Sequence, residues 1–135
     1  MTNFMLLKGF EVELFTGTYA GENVGVASAI TEDLSEFVKE PDQRNLEYIT
    51  VPDQRYAVLK HALLLPRQKL RKWLDCQKLT ILPGSTLSLG NTKIFERSDL
   101  ENTYHSFIEK NYGTNVVTAS IHINLGIENL PLLFS

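Results

Sequence analysis

The 135 residues contain one cysteine, Cys76. A lone thiol cannot close an internal disulfide, and without a second cysteine or a Cys–His cluster nothing can hold a structural zinc. Cys76 reads as a passive residue on a helix flank. Long apolar runs are also missing. No segment reaches the roughly 20 residues that cross a bilayer as a helix. Lys8 and Glu11 interrupt the N-terminal apolar stretch too early for a signal peptide. A cytoplasmic protein with no membrane part follows. The Gly-rich stretches "GTYAG" and "PGSTLSLG" lack the GxxxxGK[ST] pattern that cradles phosphates, so there is no Walker loop. Nothing marks a nucleophile for His61, His105 or His122 to activate, and no catalytic side chain is assigned.

Basic charge is scarce outside one segment. The net charge is −3, and ten of the sixteen acids lie in residues 1–55. Six of the thirteen bases lie between Lys60 and Lys78, where Asp75 is the only acid. Such a basic helix can bind nucleic acid, but with no aromatic interleaving and no nucleic-acid motif it reads as a solvated face. No nucleic-acid partner is expected.

What is present suits a single soluble domain with a proper core, at 43% hydrophobic and 21% charged residues. In "MLLKGFEVELFT", alternation predicts a strand whose Glu11 and Glu13 face one way and Phe10, Val12 and Leu14 the other. Residues 26–38 carry apolar side chains at helical spacing, and Pro41 is expected to stop that helix. "RNLEYITVP" reads as a second strand. A long helix follows with a seam at Leu59, Leu63, Leu70 and Leu74, which Pro66 should kink or break. "TILPGSTLSLG" gives a short strand running into a turn. Ser98 and Glu101 form a capping-box pattern before a helix with Leu100, Tyr104, Phe107 and Ile108 on one face, and Gly113 suits its stop. "NVVTASIHINLGI" alternates most clearly, with Val117, Ala119, Ile121, Ile123 and Leu125 on the apolar face and Thr118, Ser120, His122 and Asn124 on the other. The fold class is α+β, a mainly antiparallel sheet with helices on one face. "NLPLLFS" looks like the first turn of a helix with no body, which suggests a chain cut after Ser135.

The chemistry-bearing feature is a set of hard oxygen donors on strands. Glu11 and Glu13 share a face, Glu47 sits in the second strand, Glu40 at the turn before it, and His122 on the last strand. Several carboxylates with one imidazole suit Mg²⁺ or Mn²⁺, which leave positions open for substrate phosphates. Each element alone is commonly a wet strand face or a satisfied histidine.

"KGFEVELFTGT", "VKEPDQRNLEYITVP", "LPGSTLSLG" and "YHSFIEKNYGTNVVTASIHINLGI", in that order, resemble the N-terminal part of glutamate–cysteine ligases of the cyanobacterial type. These are carboxylate–amine ligases with a glutamine synthetase-like catalytic fold. The resemblance implies that residues 1–135 are the N-terminal part of one such catalytic domain. It also implies the reaction: ATP phosphorylates the γ-carboxylate of glutamate and cysteine attacks the acyl phosphate, the first step of glutathione biosynthesis. Glu11, Glu13, Glu40, Glu47 and His122 then stand as magnesium ligands. Thr118 and Asn124 stand near glutamyl or phosphate oxygens, and Pro41, Tyr104 and Ile108 line the cysteine pocket, although a helix face such as Tyr104–Ile108 can equally be core. The isolated chain is expected to be inactive and open to self-association. The competing expectation is a non-catalytic binding module that kept the fold.

Overall fold

A computed structural model describes residues 5–127 of the chain. The elements run β1 (Leu6–Thr18), α1 (Ala27–Asp33), β2 (Phe37–Lys39), β3 (Asn45–Ile49), α2 (Tyr56–Cys76), β4 (Leu79–Leu82), β5 (Thr86–Ser88), α3 (Thr103–Tyr112), β6 (Val116–Thr118) and β7 (Ile121–Ile127). Every strand pairing is antiparallel. The α+β expectation holds.

β1 is the spine. Its residues 11–15 pair with β3, which carries β2 on its outer side. On the opposite edge of β1, β7 pairs with residues 6–12 and β4 with residues 15–18. β5 and β6 form a separate two-stranded sheet. Because side chains alternate, each face of β1 acquires its own core. On the first face Val12, Leu46, Tyr48 and Phe37 pack against Ala27 and Ile30 of α1 and Leu70 and Leu74 of α2. On the other face Phe15 joins Leu87, Leu89, Val117 and Ala119. The leucine seam of α2 is the one the spacing predicts: Leu59, Leu70 and Leu74 are buried and Leu63 packs at the margin.

Four local expectations are corrected. α1 ends at Asp33, because Phe37, Val38 and Lys39 pair with Tyr48, Glu47 and Leu46 as β2. α2 runs through Pro66 without a break. The Ser98/Glu101 capping box does not form: Ser98 is drawn to the β2–β3 turn, where its amide meets the Pro41 carbonyl at 3.0 Å and its hydroxyl donates to the Glu40 carbonyl. α3 instead starts after Asn102, whose Oδ1 accepts from the His105 amide at 3.1 Å, and stops at Gly113 with φ 80°. The last long strand is split into β6 and β7, so its apolar face is shared out: Val117 and Ala119 are buried, whereas Ile121, Ile123 and Leu125 are exposed. Residues 129–135, where the severed helix was inferred, lie outside the described residues.

Candidate metal centre and pocket

Strand register builds the site. Glu13 stands directly opposite Glu47 in the β1–β3 ladder, and Glu11 stands opposite Ile49 on one side and His122 on the other. Directly paired residues share a sheet face, so Glu11, Glu13, Asn45, Glu47 and His122 all project to the same side. Glu40 follows the last residue of β2. The carboxylates of Glu13, Glu40 and Glu47 each bring an oxygen within 4.8 Å of the others. Like charges this close oppose folding unless something neutralises them. Burial, together with the charges of Glu13, Glu47 and Glu11, pushes the Glu40 carboxyl up to about 8. Burial, then Glu13 and Glu11, raises Glu47 as well, with His122 pulling the other way.

A second cluster adjoins the first. Asn124 Nδ2 donates to Glu11 Oε2 at 3.1 Å, and His122 Nδ1 lies 3.7 Å from the same oxygen. Ser120 donates its amide to Glu13 Oε2 at 2.8 Å, and its hydroxyl lies 3.4 Å from His122 Nε2. Of the five residues expected as ligands, three therefore converge on one point, while Glu11 and His122 form a neighbouring pair bridged to it through Ser120.

Beside the carboxylates opens a pocket of about 410 Å³. Its floor includes Glu13, Glu40 and Asn45 from the strands and the turn; Tyr104, Ile108 and Glu109 of α3 wall it, and Pro41, Val117 and Thr118 close the sides. Four residues expected near substrate, Pro41, Tyr104, Ile108 and Thr118, thus surround one space with two of the expected ligands. Asn124 is not part of that lining; it is engaged by Glu11. Tyr104 is 65% exposed, so it is not core packing, and the buried residue of α3 is His105. α3 accordingly borders the site face, with α1 and α2 packed on the core of the other.

Asn45 is one residue that sequence reasoning missed. It is 2% exposed, its Nδ2 donates to the Thr118 carbonyl at 2.7 Å, and its Oδ1 is buried with no partner. The donated bond fixes which way the amide points and leaves the buried Oδ1 without a partner in a residue that lines the pocket. The period-two rule that paired Glu11 with Glu13 would have found it, two residues before Glu47 on the same face. Asp42 was also missed. It is fully buried, receives Arg44 Nε at 2.8 Å and Nη2 at 2.7 Å, and accepts the amides of Arg44 and Glu96 at 2.9 Å each. This pair fixes the turn that presents Glu40.

The donor set is all hard oxygen, as Mg²⁺ or Mn²⁺ requires, and the orphaned amide oxygen and mutual repulsion of three carboxylates fit a bound cation. Compared with known sequences, residues 7–130 match the profile of Glutamate-cysteine ligase family 2 (GCS2). No curated protein matches the chain. The match spans nearly all of the described residues and includes both strands that carry the carboxylates, so the chain belongs to glutamate–cysteine ligase family 2.

Proposed function

We propose that this chain supplies the cation site and acceptor pocket of an enzyme that joins the γ-carboxylate of glutamate to the amine of cysteine through γ-glutamyl phosphate. Family membership indicates an ATP-dependent ligase of the glutamate–cysteine type. The observation that carries the finer reading is the meeting of Glu13, Glu40 and Glu47 within 4.8 Å beside a pocket of ligand size. Glu13, Glu40 and Glu47 would hold Mg²⁺ or Mn²⁺, with Glu11 and His122 next to them. A divalent ion bound there supplies charge neutralisation for phosphate oxygens during phosphoryl transfer. The chain's own part is positional: antiparallel strands keep the carboxylates rigid, Asn45 Oδ1 offers an acceptor, and α3 shapes the space for the incoming amine. No Lys or Arg lines the pocket among the described residues. ATP carries several negative charges that need cationic partners as well as a metal, so the 135 residues alone are expected not to turn over. The exposed Cys76 thiol suits a reducing compartment, which supports a cytoplasmic setting. Among the described residues no helix is long and apolar enough to cross a membrane.

A non-catalytic module would have no reason to keep three mutually repelling carboxylates in one half-buried corner, which favours the enzyme. ADP release by the protein in its native form, with glutamate and a panel of amines, tests the reading. Cysteine should stimulate release and Glu47→Gln should abolish it. Stimulation by a different amine alone would defeat the cysteine assignment, and no amine-dependent release at all would favour the module.

A further inference from the structure

Segment 94–98 has no place in the cation site, yet it touches both sides of the pocket. Its backbone is laced to the β2–β3 turn. The Gln43 amide donates to the Glu96 carbonyl at 2.8 Å, the Ser98 amide to the Pro41 carbonyl at 3.0 Å, and Arg44 Nη2 to the Ile94 carbonyl at 3.0 Å. Asp42 and Arg97 form an isolated antiparallel bridge. The turn held in this way is the one that presents Glu40 and Pro41.

From the same segment the Arg97 side chain reaches the opposite wall. Its Nε donates to the Asp99 carbonyl at 3.1 Å. Nη2 donates to the Asn102 carbonyl at 3.0 Å and to Ser106 Oγ at 2.9 Å, and Nη1 pairs with Glu109 Oε2 at 2.6 Å. One guanidinium thereby spans the N-cap and the first two turns of α3. Its side chain is 14% exposed, so the bonds to Asp99, Asn102 and Glu109 are partly shielded from competing water. Beyond the N-cap Asn102 and buried His105, which faces the Lys39 backbone, Arg97 makes the side-chain hydrogen bonds that join α3 to the rest of the described chain. A rigid planar fork can hold four acceptors at fixed angles, which a flexible ammonium cannot do.

We infer that Arg97 is a positioning residue: it sets the distance between α3 and the acidic sheet face, and with it the width of the pocket. Describing that width as the acceptor's space rests on the ligase reading, but the distance itself does not. In Arg97→Ala, α3 loses its guanidinium tie to the segment laced to the β2–β3 turn and keeps only His105 against Lys39, so Tyr104 and Ile108 move away from Glu13 and Glu40. The selection of acceptors by size then relaxes, while the carboxylates themselves stay in register on their strands.

The test is a distance measurement that needs no cation and no turnover. A nitroxide is attached to a cysteine placed at exposed Ile49 in a Cys76→Ser background, and relaxation enhancement is read at the Ile108 and Ile81 methyl groups. Arg97→Ala should lose most of the Ile108 enhancement and keep that of Ile81, a β4 residue of the same sheet. Arg97→Lys should behave like the alanine variant. Loss of stability alone leaves distances in the folded molecules unchanged, so an unchanged Ile108 signal in a folded variant overturns the proposal. If Arg97→Ala does not fold, Glu109→Gln combined with Ser106→Ala removes the far end of the same contacts and must give the same selective loss. A wild-type chain that ignored Mn²⁺ would count against the ligase reading and leave this measurement intact.

Discussion

Glu40 is where single-residue chemistry is most exposed to test. Its carboxyl is pushed up to about 8 from the ordinary 4.5, chiefly by burial and then by the charges of Glu13, Glu47 and Glu11. Between those two values the unfolded chain has released the proton and the folded chain has kept it, so stability falls as pH rises. Below about 4.5 this contribution is fully present; above about 8 it is gone. Thermal melts of the cation-free chain should show that decline, and Glu40→Gln should flatten it and leave the variant more stable than wild type at pH 9. An unchanged slope in Glu40→Gln would show that the carboxyl is hydrated rather than buried against its neighbours. Arg44→Met strands the fully buried Asp42 carboxylate, and breaking a buried pair in this way costs about 3–5 kcal/mol. Urea unfolding measures that cost, and a loss below 1 kcal/mol would mean the pair behaves as a surface one. At this scale the sequence was partly legible. The E-x-E spacing announced a shared face because a strand repeats every two residues. Glu40 joining Glu13 was not readable by periodicity, since it depends on how the β2–β3 turn folds back, and the Asp42–Arg44 pair in this turn is anchored by bonds to the distant Ile94 and Glu96 backbone.

Elements show why local signals sometimes lose. Pro66 removes the donor for the Ala62 carbonyl, and one residue further on the Leu63 carbonyl accepts the Tyr48 hydroxyl at 2.7 Å. The helix survives because Leu59, Leu70 and Leu74 on either side are held in the core. Pro66→Ala should therefore stabilise the chain by up to about 3 kcal/mol in denaturant titrations, and a destabilised variant would show that the proline's shape is needed for packing. Ser98 illustrates the opposite outcome: it has the right residue type for a cap, but the Glu40 and Pro41 carbonyls claim it and Asn102 takes the cap. Phe37 lies at helical spacing from Ile30 and Leu34 in the sequence. Its pairing with Tyr48, and an edge-on ring contact at 5.5 Å, put it in a strand. Strong alternation in β1 and β7 survived folding; short segments were reassigned by their partners.

At the scale of the whole molecule, the described residues form two cores and leave a stripe of β7 uncovered. Ile121, Ile123 and Leu125 are 60–66% exposed on the face that β1 buries through Val12 under α1 and α2. On β7 that face has no helix over it among the described residues. Contiguous apolar surface of this kind drives association. Sedimentation at increasing concentration should show self-association of the 135-residue chain, reduced by Ile123→Lys; a strict monomer would show the stripe to be inert. The sequence foretold the antiparallel α+β sheet and a face of hydrogen-bonding groups. It did not foretell that α3 would border that face, because an amphipathic helix does not specify which layer it joins. The central claim is that strand register gathers carboxylates into a cation site. The most direct test is Mn²⁺ titration of the 135-residue chain, followed by electron paramagnetic resonance. Wild type and Glu36→Gln, a change at the surface pair with Lys69, should bind the ion alike, and Glu13→Gln and Glu47→Gln should each lose most of the affinity. Equal binding by Glu47→Gln and wild type, or no binding by either, would contradict the account.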